Sequence, residues 1–219
     1  LFPYTMLFRS DGDHRWERGD IQWKSMTALD PKANYLYKQA NDIKALRGGN
    51  RVLRHDYDHE MGIFTEYSRI TPKKYIVISG LHVLFLPQLR KELDLKIYMN
   101  TEDNLRKWWK VRRDVTDRHY DMQSVADEMD RRIDDAEKYI KPQEKYADMI
   151  ITFYDDTLKD FTDMNHVCLI RLSCGASCRG STPCVLNAKT SLCSIVRDMK
   201  IPVWNILNYV RKCRDRTYK

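Results

Sequence analysis

The stretch Tyr75–Ser79 constrains the fold of this chain most, because it is short, apolar and directly followed by glycine. Its sequence, Tyr-Ile-Val-Ile-Ser, contains no charged residue. A continuous apolar run of this length is typical of a strand buried on both faces of a parallel sheet. Polar residues that follow such a strand lie at the carboxyl edge of the sheet, where α/β proteins bind ligands. The segment therefore predicts an α/β fold with functional loops at that edge, beginning with Gly80–His82.

Helical and strand-like patterns alternate along the chain. Apolar residues at helical spacing follow Asp30-Pro31, a good helix start, and continue to Gly48-Gly49. A second helical pattern begins after Thr101, and a third, long one extends from Met122 to Ile140. Strand-like runs lie at Arg51–Arg54, Leu95–Met99 and Met149–Tyr154. This alternation predicts a parallel sheet with helices on both faces.

The charge of the chain favours anionic partners. A formal net charge of +7 and a pI near 9.0 suit nucleic acid, nucleotides and sugar phosphates alike. The content of 42% hydrophobic and 32% charged residues is that of a folded globular protein rather than a disordered one. No apolar run has the length of a membrane span, and no secretory signal is visible. We therefore expect no membrane partner and a cytoplasmic location.

A dense group of cations lies at the end of the second helical pattern. Lys110, Arg113 and Arg118 surround a single acid, Asp114. Lysine attracts phosphate as a point charge, arginine grips it as a fork, and a lone carboxylate can hold a metal or orient the cations. The group therefore indicates an anionic ligand. From this segment alone, a solvated helix face with ion pairs at helical spacing remains an open alternative.

Two further groups of polar residues lie in predicted loops. Asp11, His14 and Arg18 combine an acid that can accept a proton from a hydroxyl with side chains that can hold hydroxyl or anionic groups. Tyr57 and His59 belong to a second group of the same kind. An ordinary exposed polar loop is the alternative for both groups, and the local sequence by itself favours it.

These groups occur in an order that resembles one family. The ordered set is Asp11…His14…Arg18, Tyr57–Gly62, Gly80–His82, Lys110…Arg113-Asp114…Arg118 and Tyr139–Gln143. It looks like the phosphoribulokinase/uridine kinase family of P-loop kinases, and the first and third motifs lean toward the phosphoribulokinase side. The resemblance covers roughly residues 11–154, and the ordered set is far more specific than any single motif.

The resemblance implies an α/β, P-loop NTPase-like fold and an enzyme that uses ATP and Mg²⁺ to phosphorylate a hydroxyl of a sugar phosphate or nucleoside. It implies that Asp11 is the general base, and that Asp114 is a second catalytic acid and a metal ligand. It implies contacts with the acceptor or with phosphates for His14, Arg18, Tyr57, His59, Lys110, Arg113 and Arg118. Such a reaction depends on positioning and charge neutralisation more than on covalent chemistry.

Three departures from the family pattern affect the metal and the nucleotide. Ser79 occupies the place of a glutamate that precedes Gly-Leu-His in the family, so a charged Mg²⁺ ligand is lost. Arg118-His119 replaces an Arg-Gly pair. The 219 residues contain no Gly-x-x-x-x-Gly-Lys, and the nearest run, Gly175–Thr182, has Ser181 for the lysine and Pro183 where a helix should begin. We therefore expect a fragment, incomplete at its N-terminus, that is inactive by itself because the nucleotide loop is missing.

The chain divides into three predicted segments. Residues 1–10 resemble the translation of a sequencing adapter, so we expect them to be non-native and to play no part in the fold. Residues 11–160 form the kinase-like domain, and residues 161–219 form an extension that contains all six cysteines. Without a secretory signal or close cysteine pairs, free thiols are favoured over disulfides or zinc. Edge strands, a frame-shifted tail and a poorly folded tail remain alternatives for the extension.

Other functions remain open beside the kinase. Within enzymes the alternative is a uridine/cytidine kinase proper, and outside them a non-catalytic, basic nucleic-acid-binding module. The expected partners are a nucleotide and a sugar phosphate or nucleoside; nucleic acid is not expected, and a homo-oligomer is compatible with the sequence.

Overall fold

The computed structural model describes residues 4–117 and 121–154, together with the backbone of two strands at 169–174 and 186–189. The first compact unit consists of residues 1–94 and 130–143, and the second of residues 95–129 and 144–219. The described strands are β1 (Thr5–Arg9), β2 (Val52–Arg54), β3 (Tyr57–Asp58), β4 (Ile63–Phe64), β5 (Ser68–Ile70), β6 (Tyr75–Ser79), β7 (Ile97–Thr101), β8 (Met149–Tyr154), β9 (Leu169–Cys174) and β10 (Leu186–Lys189). The described α-helices are α1 (Ile21–Ser25), α2 (Leu36–Arg47), α3 (Pro87–Lys91), α4 (Asp103–Arg112), α5 (Met122–Arg131) and α6 (Ile133–Asp135).

The first unit is built on the parallel pair β1 and β6, in which Phe8 lies opposite Ile78. Helices α2 and α3 contribute their apolar residues to the same cluster as Phe8. The buried members of this core are Phe8, Leu36, Ala40, Ile43, Leu46, Leu86 and Leu89. Parallel strands packed against helices confirm the predicted α/β class. None of the described helices combines the length and hydrophobicity needed to cross a bilayer.

Only one face of β6 is well buried, which corrects the expectation of a strand buried on both faces. Ile76 and Ile78 pack against the core, whereas Tyr75 and Val77 are 43% and 42% exposed. The reason is that α2 and α3 contribute to a single cluster, on the face of Ile76 and Ile78. A run of apolar letters does not reveal how many of its faces are covered.

The helix predicted from Asp30 begins at Leu36 instead. The Asp30 carboxylate does act as a cap, accepting a backbone hydrogen bond at 2.8 Å, but it caps the short 3₁₀ turn Pro31–Ala33. Asn34 then leaves helical geometry (φ −134°, ψ 147°), and its side-chain amide donates to the backbone carbonyls of Ala28 and Asp30, which precede the turn. The side-chain amide of Asn34 thus stabilises a break that helical spacing does not show.

Two small antiparallel ribbons follow α2. β2 pairs with β5, and β3 pairs with β4. They confirm the predicted strand at residues 51–54 and show the 57–62 segment to be a hairpin bend. Gly62 closes this bend with a φ of +76°, a conformation that suits glycine.

The second unit contains one four-stranded sheet in the order β10-β9-β8-β7. β7 and β8 are parallel, and β9 and β10 are antiparallel to their neighbours. Leu105 and Trp108 of α4 pack with Phe153 of β8. The backbone of β9 and β10 therefore extends this sheet beyond β8, with β9 as an interior strand and β10 at the edge. The remaining residues of the extension, including five of its six cysteines, lie outside the described part of the chain.

The long helix predicted from Met122 to Ile140 is interrupted. α5 ends at Arg131, and Arg132 has a φ of −92° and a ψ of −8°. The three-residue α6 is followed by a π-helical segment, Ala136–Ile140. Apolar spacing continues through the interruption, so the pattern alone predicts one continuous helix. The interruption lies close in sequence to Asp130, where the second unit gives way to the first.

Residues 5–9, which the sequence analysis left out of the fold, form β1. The Phe8 side chain is 1% exposed, and the guanidinium carbon of Arg54 lies 3.7 Å from the centroid of its ring. The strand that precedes the Asp11 loop is therefore present in the structure. The non-native origin of residues 1–10, and the boundaries predicted at residues 11, 160 and 161, stay predictions.

We expect Phe8→Ala to lower the free energy of unfolding by about 3–5 kcal/mol, because it removes a buried ring from the core. Leu7→Ala is the matched control, since Leu7 lies in the same strand and is 43% exposed. Urea unfolding of the 219-residue chain measures both. Equal small effects would show that β1 does not pack as described.

Candidate active site

The turn Ser10–Asp13 lies directly after β1 and carries the first group of predicted site residues. Its backbone is packed closely on two sides. A Cβ added at Gly12 would overlap the carbonyl oxygen of His55, and a Cβ added at Gly80, after β6, would overlap the Ser10 side chain. Glycine at both positions lets the chain approach so closely. The turn is therefore held at the carboxyl ends of two paired parallel strands, where the sequence analysis placed the functional loops.

The sequence analysis did not name Asp13 as a site residue, yet it is buried at the end of this turn. The Asp13 side chain is 2% exposed and accepts hydrogen bonds from Arg54 Nη1 at 2.9 Å and from Gln39 Nε2 at 2.8 Å. Burial raises the pKa of Asp13, and the charge and hydrogen bonds of Arg54 and Gln39 oppose this effect. The Asp13 carboxylate is enclosed by protein groups, so it is poorly placed to meet a substrate.

Asp11 is the accessible acid of the turn. Its side chain is 37% exposed, and Oδ2 lies 3.2 Å from Arg9 Nη2 and 3.4 Å from His59 Nε2. The structure thus brings together Asp11 and His59, which come from separate predicted groups. Accessibility distinguishes Asp11 from Asp13 as the acid that can accept a proton from a bound hydroxyl.

His14 lies in a cluster of aromatic rings next to the turn. Its ring meets Trp23 and Tyr57 edge to face, with centroids 5.7 and 5.9 Å apart. Burial lowers the pKa of His14, although the nearby Asp11 carboxylate and a hydrogen bond with Asn34 act in the opposite direction. The imidazole is therefore held mainly neutral, a state that can both donate and accept a hydrogen bond.

The predicted site residues Arg18 and Tyr57 contact the hairpin bend that carries His59. The Arg18 guanidinium donates to the carbonyls of His59 and Glu60, and the Arg18 backbone N–H donates to Gly62 O at 3.0 Å. The Tyr57 hydroxyl donates to the same Gly62 carbonyl at 2.9 Å. Both side chains thus position the bend that carries His59 beside Asp11.

The loop after β6 contains Ser79, Gly80 and His82. Ser79 is an exposed residue, whereas His82 is 4% exposed and its Nε2 lies 2.8 Å from Leu29 O. Burial lowers the pKa of His82 as well. His82 is therefore a hydrogen-bonded core residue, which was the ordinary alternative for a histidine at this position.

The second unit holds the predicted cation cluster. Asp114, with a side chain 1% exposed, accepts from Lys110 Nζ at 2.6 Å and from Arg113 Nε at 2.8 Å. Lys110 Nζ also lies 3.1 Å from Glu128 Oε2. Burial opposes ionisation of Asp114, but the hydrogen bonds from Arg113 and Lys110 outweigh it and hold the pKa of Asp114 below its ordinary value. Arg118, the remaining predicted member, lies outside the described residues.

The described residues do not form a ready metal site. Within them, no cluster of three or more His, Cys, Asp or Glu side chains is arranged to hold a metal ion. Both oxygens of Asp114, the predicted metal ligand, accept hydrogen bonds from cations. In this arrangement Asp114 fits the role of an acid that orients Lys110 and Arg113 better than that of a metal ligand.

Sequence reasoning missed three residues that hold the turn: Asp13, Gln39 and Arg54. Gln39 lies 26 residues and Arg54 lies 41 residues after Asp13 along the chain. Gln39 belongs to a helix, Arg54 to a strand and Asp13 to a turn. Only the second acid of Asp11-Gly-Asp13 offered a local signal, and it did not indicate which partner would bury it.

The sequence of this chain is similar to one family of proteins. The profile described as "Phosphoribulokinase / Uridine kinase family" matches residues 9–159. A chloroplastic phosphoribulokinase of Mesembryanthemum crystallinum is 34% identical over 147 residues, which are 67% of this chain and 37% of that protein. A uridine kinase of Ligilactobacillus salivarius (strain UCC118) is 30% identical over 160 residues, covering 69% of this chain and 73% of that protein.

A solved structure shows the same fold. The phosphoribulokinase from Rhodobacter spheroides aligns with a TM-score of 0.71 over 96% of this chain and 88% of that chain, at 18% sequence identity. The chain spans about two fifths of the length of the curated phosphoribulokinases from Mesembryanthemum crystallinum and Spinacia oleracea that it matches.

We expect Gly12→Ala to lower the free energy of unfolding by about 1–3 kcal/mol, because the new methyl group meets a backbone carbonyl that cannot rotate away. Gly19→Ala is the matched control, since a Cβ at Gly19 meets nothing within 4 Å. Chemical denaturation of both variants checks the close packing of the turn. A Gly12 variant as stable as the Gly19 variant would contradict it.

We also expect Asp11→Asn to lower the pKa of His14 further, because the Asp11 carboxylate favours the charged imidazole. His82 serves as an internal control: it is also buried, and Asp11 is not among the causes of its pKa shift. NMR titration of both rings measures the effect. An unchanged pKa for His14 would show that Asp11 does not lie beside it.

Proposed function

The chain belongs to the phosphoribulokinase/uridine kinase family, and on this premise we propose that the whole protein transfers the γ-phosphoryl group of ATP to a hydroxyl of a sugar phosphate or nucleoside. The observation that carries the proposal is the accessible Asp11 carboxylate. It lies at the carboxyl end of β1, in a turn packed against the end of β6, and within 3.4 Å of His59 Nε2. A fixed, accessible acid at this edge suits the deprotonation of an acceptor hydroxyl.

In this proposal Asp11 accepts the proton of the acceptor hydroxyl as its oxygen attacks the γ-phosphorus. The His14 imidazole, kept neutral by burial, recognises a hydroxyl through hydrogen bonds rather than a phosphate through charge. From the hairpin bend, His59 lies beside Asp11 and Tyr57 packs against the His14 ring, and Arg18 fixes that bend. Acceptor recognition thus depends on hydrogen-bonding groups around the general base.

The cations of the second unit provide charge neutralisation. Lys110 and Arg113 are proposed to bind phosphate oxygens, and Asp114 orients both of them. Lys110 contacts both Asp114 and Glu128. A phosphate that binds Lys110 can therefore replace the Glu128 carboxylate as its second anionic partner. The low pKa of Asp114 keeps this orienting charge present at neutral pH. Arg118 keeps the phosphate-binding role that its place in the motif suggests.

ATP and Mg²⁺ remain proposals that the described residues fit only in part. The 219 residues contain no Gly-x-x-x-x-Gly-Lys, and Asp114 is occupied by cations. Mg²⁺ commonly binds through one or two carboxylates together with substrate phosphates, which neutralises the transferring group. The metal role of Asp114 and the consequence of Ser79 at the glutamate position therefore stay predictions, as do a cytoplasmic location and a homo-oligomer.

A uridine or cytidine kinase is the second candidate for the acceptor. The uridine kinase of Ligilactobacillus salivarius matches in sequence over 73% of its own length, whereas the Mesembryanthemum crystallinum phosphoribulokinase matches over 37% of its own. A nucleic-acid-binding module is supported only by the net charge of +7. Binding to a random duplex that weakens steeply with salt would favour this third reading.

We expect Asp11→Asn in the whole protein to lower kcat by about 10²–10⁴-fold with little change in the acceptor KM, because the general base is lost while the shape of the side chain is kept. Asp94→Asn is the matched control: Asp94 is an exposed acid paired with Arg47 at 2.7 Å, much as Asp11 pairs with Arg9. A coupled ATPase assay with ribulose 5-phosphate, uridine and cytidine gives kcat and KM for each acceptor. The 219-residue chain alone is expected to be inactive. An Asp11 variant with wild-type kcat on every acceptor would refute the assignment of the base.

A further inference from the structure

A single buried guanidinium holds both ends of the turn that carries Asp11. Arg54 Nη1 donates to Asp13 Oδ1 at 2.9 Å, on the far side of the turn. Arg54 Nη2 donates to the Arg9 carbonyl oxygen at 2.9 Å, on the near side, and lies 3.4 Å from Asp13 Oδ2. Only residues 10–12 lie between these two attachment points, and Asp11 is the middle one.

The side-chain contacts of Asp11 are too weak to fix its position. Its ion pair with Arg9 spans two exposed side chains, of which the arginine is 57% exposed. The contact with His59 is 3.4 Å long and is charged only when the imidazole is protonated. Exposed pairs of this kind contribute about 0–1 kcal/mol and constrain geometry little. The position of the Asp11 carboxylate therefore depends on the backbone of the turn.

Arg54 is itself held rigidly. Its side chain is 2% exposed, its guanidinium lies against the Phe8 ring, and Nη1 is also 3.5 Å from Asp42 Oδ2 of α2. Gln39 of the same helix binds the other side of the Asp13 carboxylate. The turn is thus fastened to α2 and to β2, two elements that also pack against each other in the first unit.

A buried ion pair is a weak source of stability, because removing two charges from water costs about as much as their attraction returns. Well-packed apolar residues at both positions often give an equal or higher stability. A fork that reaches two acceptors on either side of one residue adds geometric specificity, which an apolar pair cannot supply. An apolar pair can therefore replace the stability that Arg54 and Asp13 contribute but not the geometry that they impose on the turn.

We propose that Arg54, acting through Asp13 and the Arg9 carbonyl, is a positioning residue for the Asp11 carboxylate in phosphoryl transfer. The inference rests on the proposed function, since it assigns Asp11 a role in the reaction. It adds to that function two residues, Arg54 and Asp13, that do not touch the substrate but set the angle from which the base approaches it.

The test replaces both buried charges together in the whole protein, Arg54→Met with Asp13→Leu, so that neither of the two charges is left unpaired inside. We expect a folded protein whose melting temperature falls by only a few degrees, because the buried Gln39 amide loses its acceptor. The acceptor KM should change little, and kcat should fall by about 10–100-fold, because a displacement near 1 Å costs about that much. Arg69→Met is the matched control: Arg69 is an exposed arginine on β5, beside β2, and should keep wild-type kinetics. A folded double variant with a kcat within about twofold of the wild type would overturn the proposal.

Two further measurements keep the test decisive. Arg54→Lys keeps the charge but not the fork, so its kcat should fall between those of the wild type and the double variant; wild-type kcat in this variant contradicts the proposal. Amide order parameters of the 219-residue chain should fall for residues 10–13 from about 0.85 to below about 0.6 in both variants, while those of α2 stay unchanged. Unchanged order parameters for residues 10–13 would overturn the proposal that Arg54 fixes the turn. If the wild type phosphorylates no acceptor, the proposed function fails, and the order parameters still decide whether Arg54 fixes the turn.

Discussion

The first unit depends most on the contacts of the Arg54 guanidinium, because these contacts connect elements that are far apart along the chain. The guanidinium reaches β1 through the Arg9 carbonyl and the Phe8 ring, the following turn through Asp13, and α2 through Asp42. Burying an isolated cation costs several kcal/mol even after the protein relaxes. The cost is offset here because two carboxylates, one backbone carbonyl and an aromatic face surround one planar group. Few other placements of β1, the turn and α2 would satisfy all of these contacts. The contacts therefore fix the relative positions of these elements more than they stabilise them.

Much of the secondary structure could be predicted from the sequence, because apolar spacing is a local signal. The strands β6 and β8 and the body of α2 have the predicted positions. The errors occur where a break in backbone geometry interrupts the helical pattern: Asn34 ends the turn that Asp30 caps, and the predicted long helix breaks at Arg132. In each case the apolar spacing is continuous, and the break depends on backbone geometry that spacing does not encode.

The site could be predicted only through the ordered motifs. Residue types and spacing identified Asp11 and His59 as members of two separate groups, and the structure brings them to 3.4 Å. The partners of Asp13 could not be found in the same way, because Arg54 lies 41 residues from it and appears in the sequence as an ordinary charged residue at a strand end. Long-range polar pairs inside a protein need the topology before their partners can be identified. The motifs contain the residues that we propose to meet the substrate, whereas the buried groups that hold those motifs in place give no local signal in the sequence.

The close approach of Gly12 to His55, and of Gly80 to Ser10, has a consequence for how such a site can diversify. At Gly12 the space for a side chain is filled by a backbone carbonyl, and at Gly80 it is filled by the Ser10 side chain, so these two positions offer almost no room for sequence change. In the hairpin bend beside it, Met61 and Ile63 are exposed, so these two side chains can change in size and polarity without moving a backbone. Sequence change should therefore accumulate at these exposed positions of the bend, while the turn that carries Asp11 changes little. The same division indicates which face an enzyme engineer should randomise first.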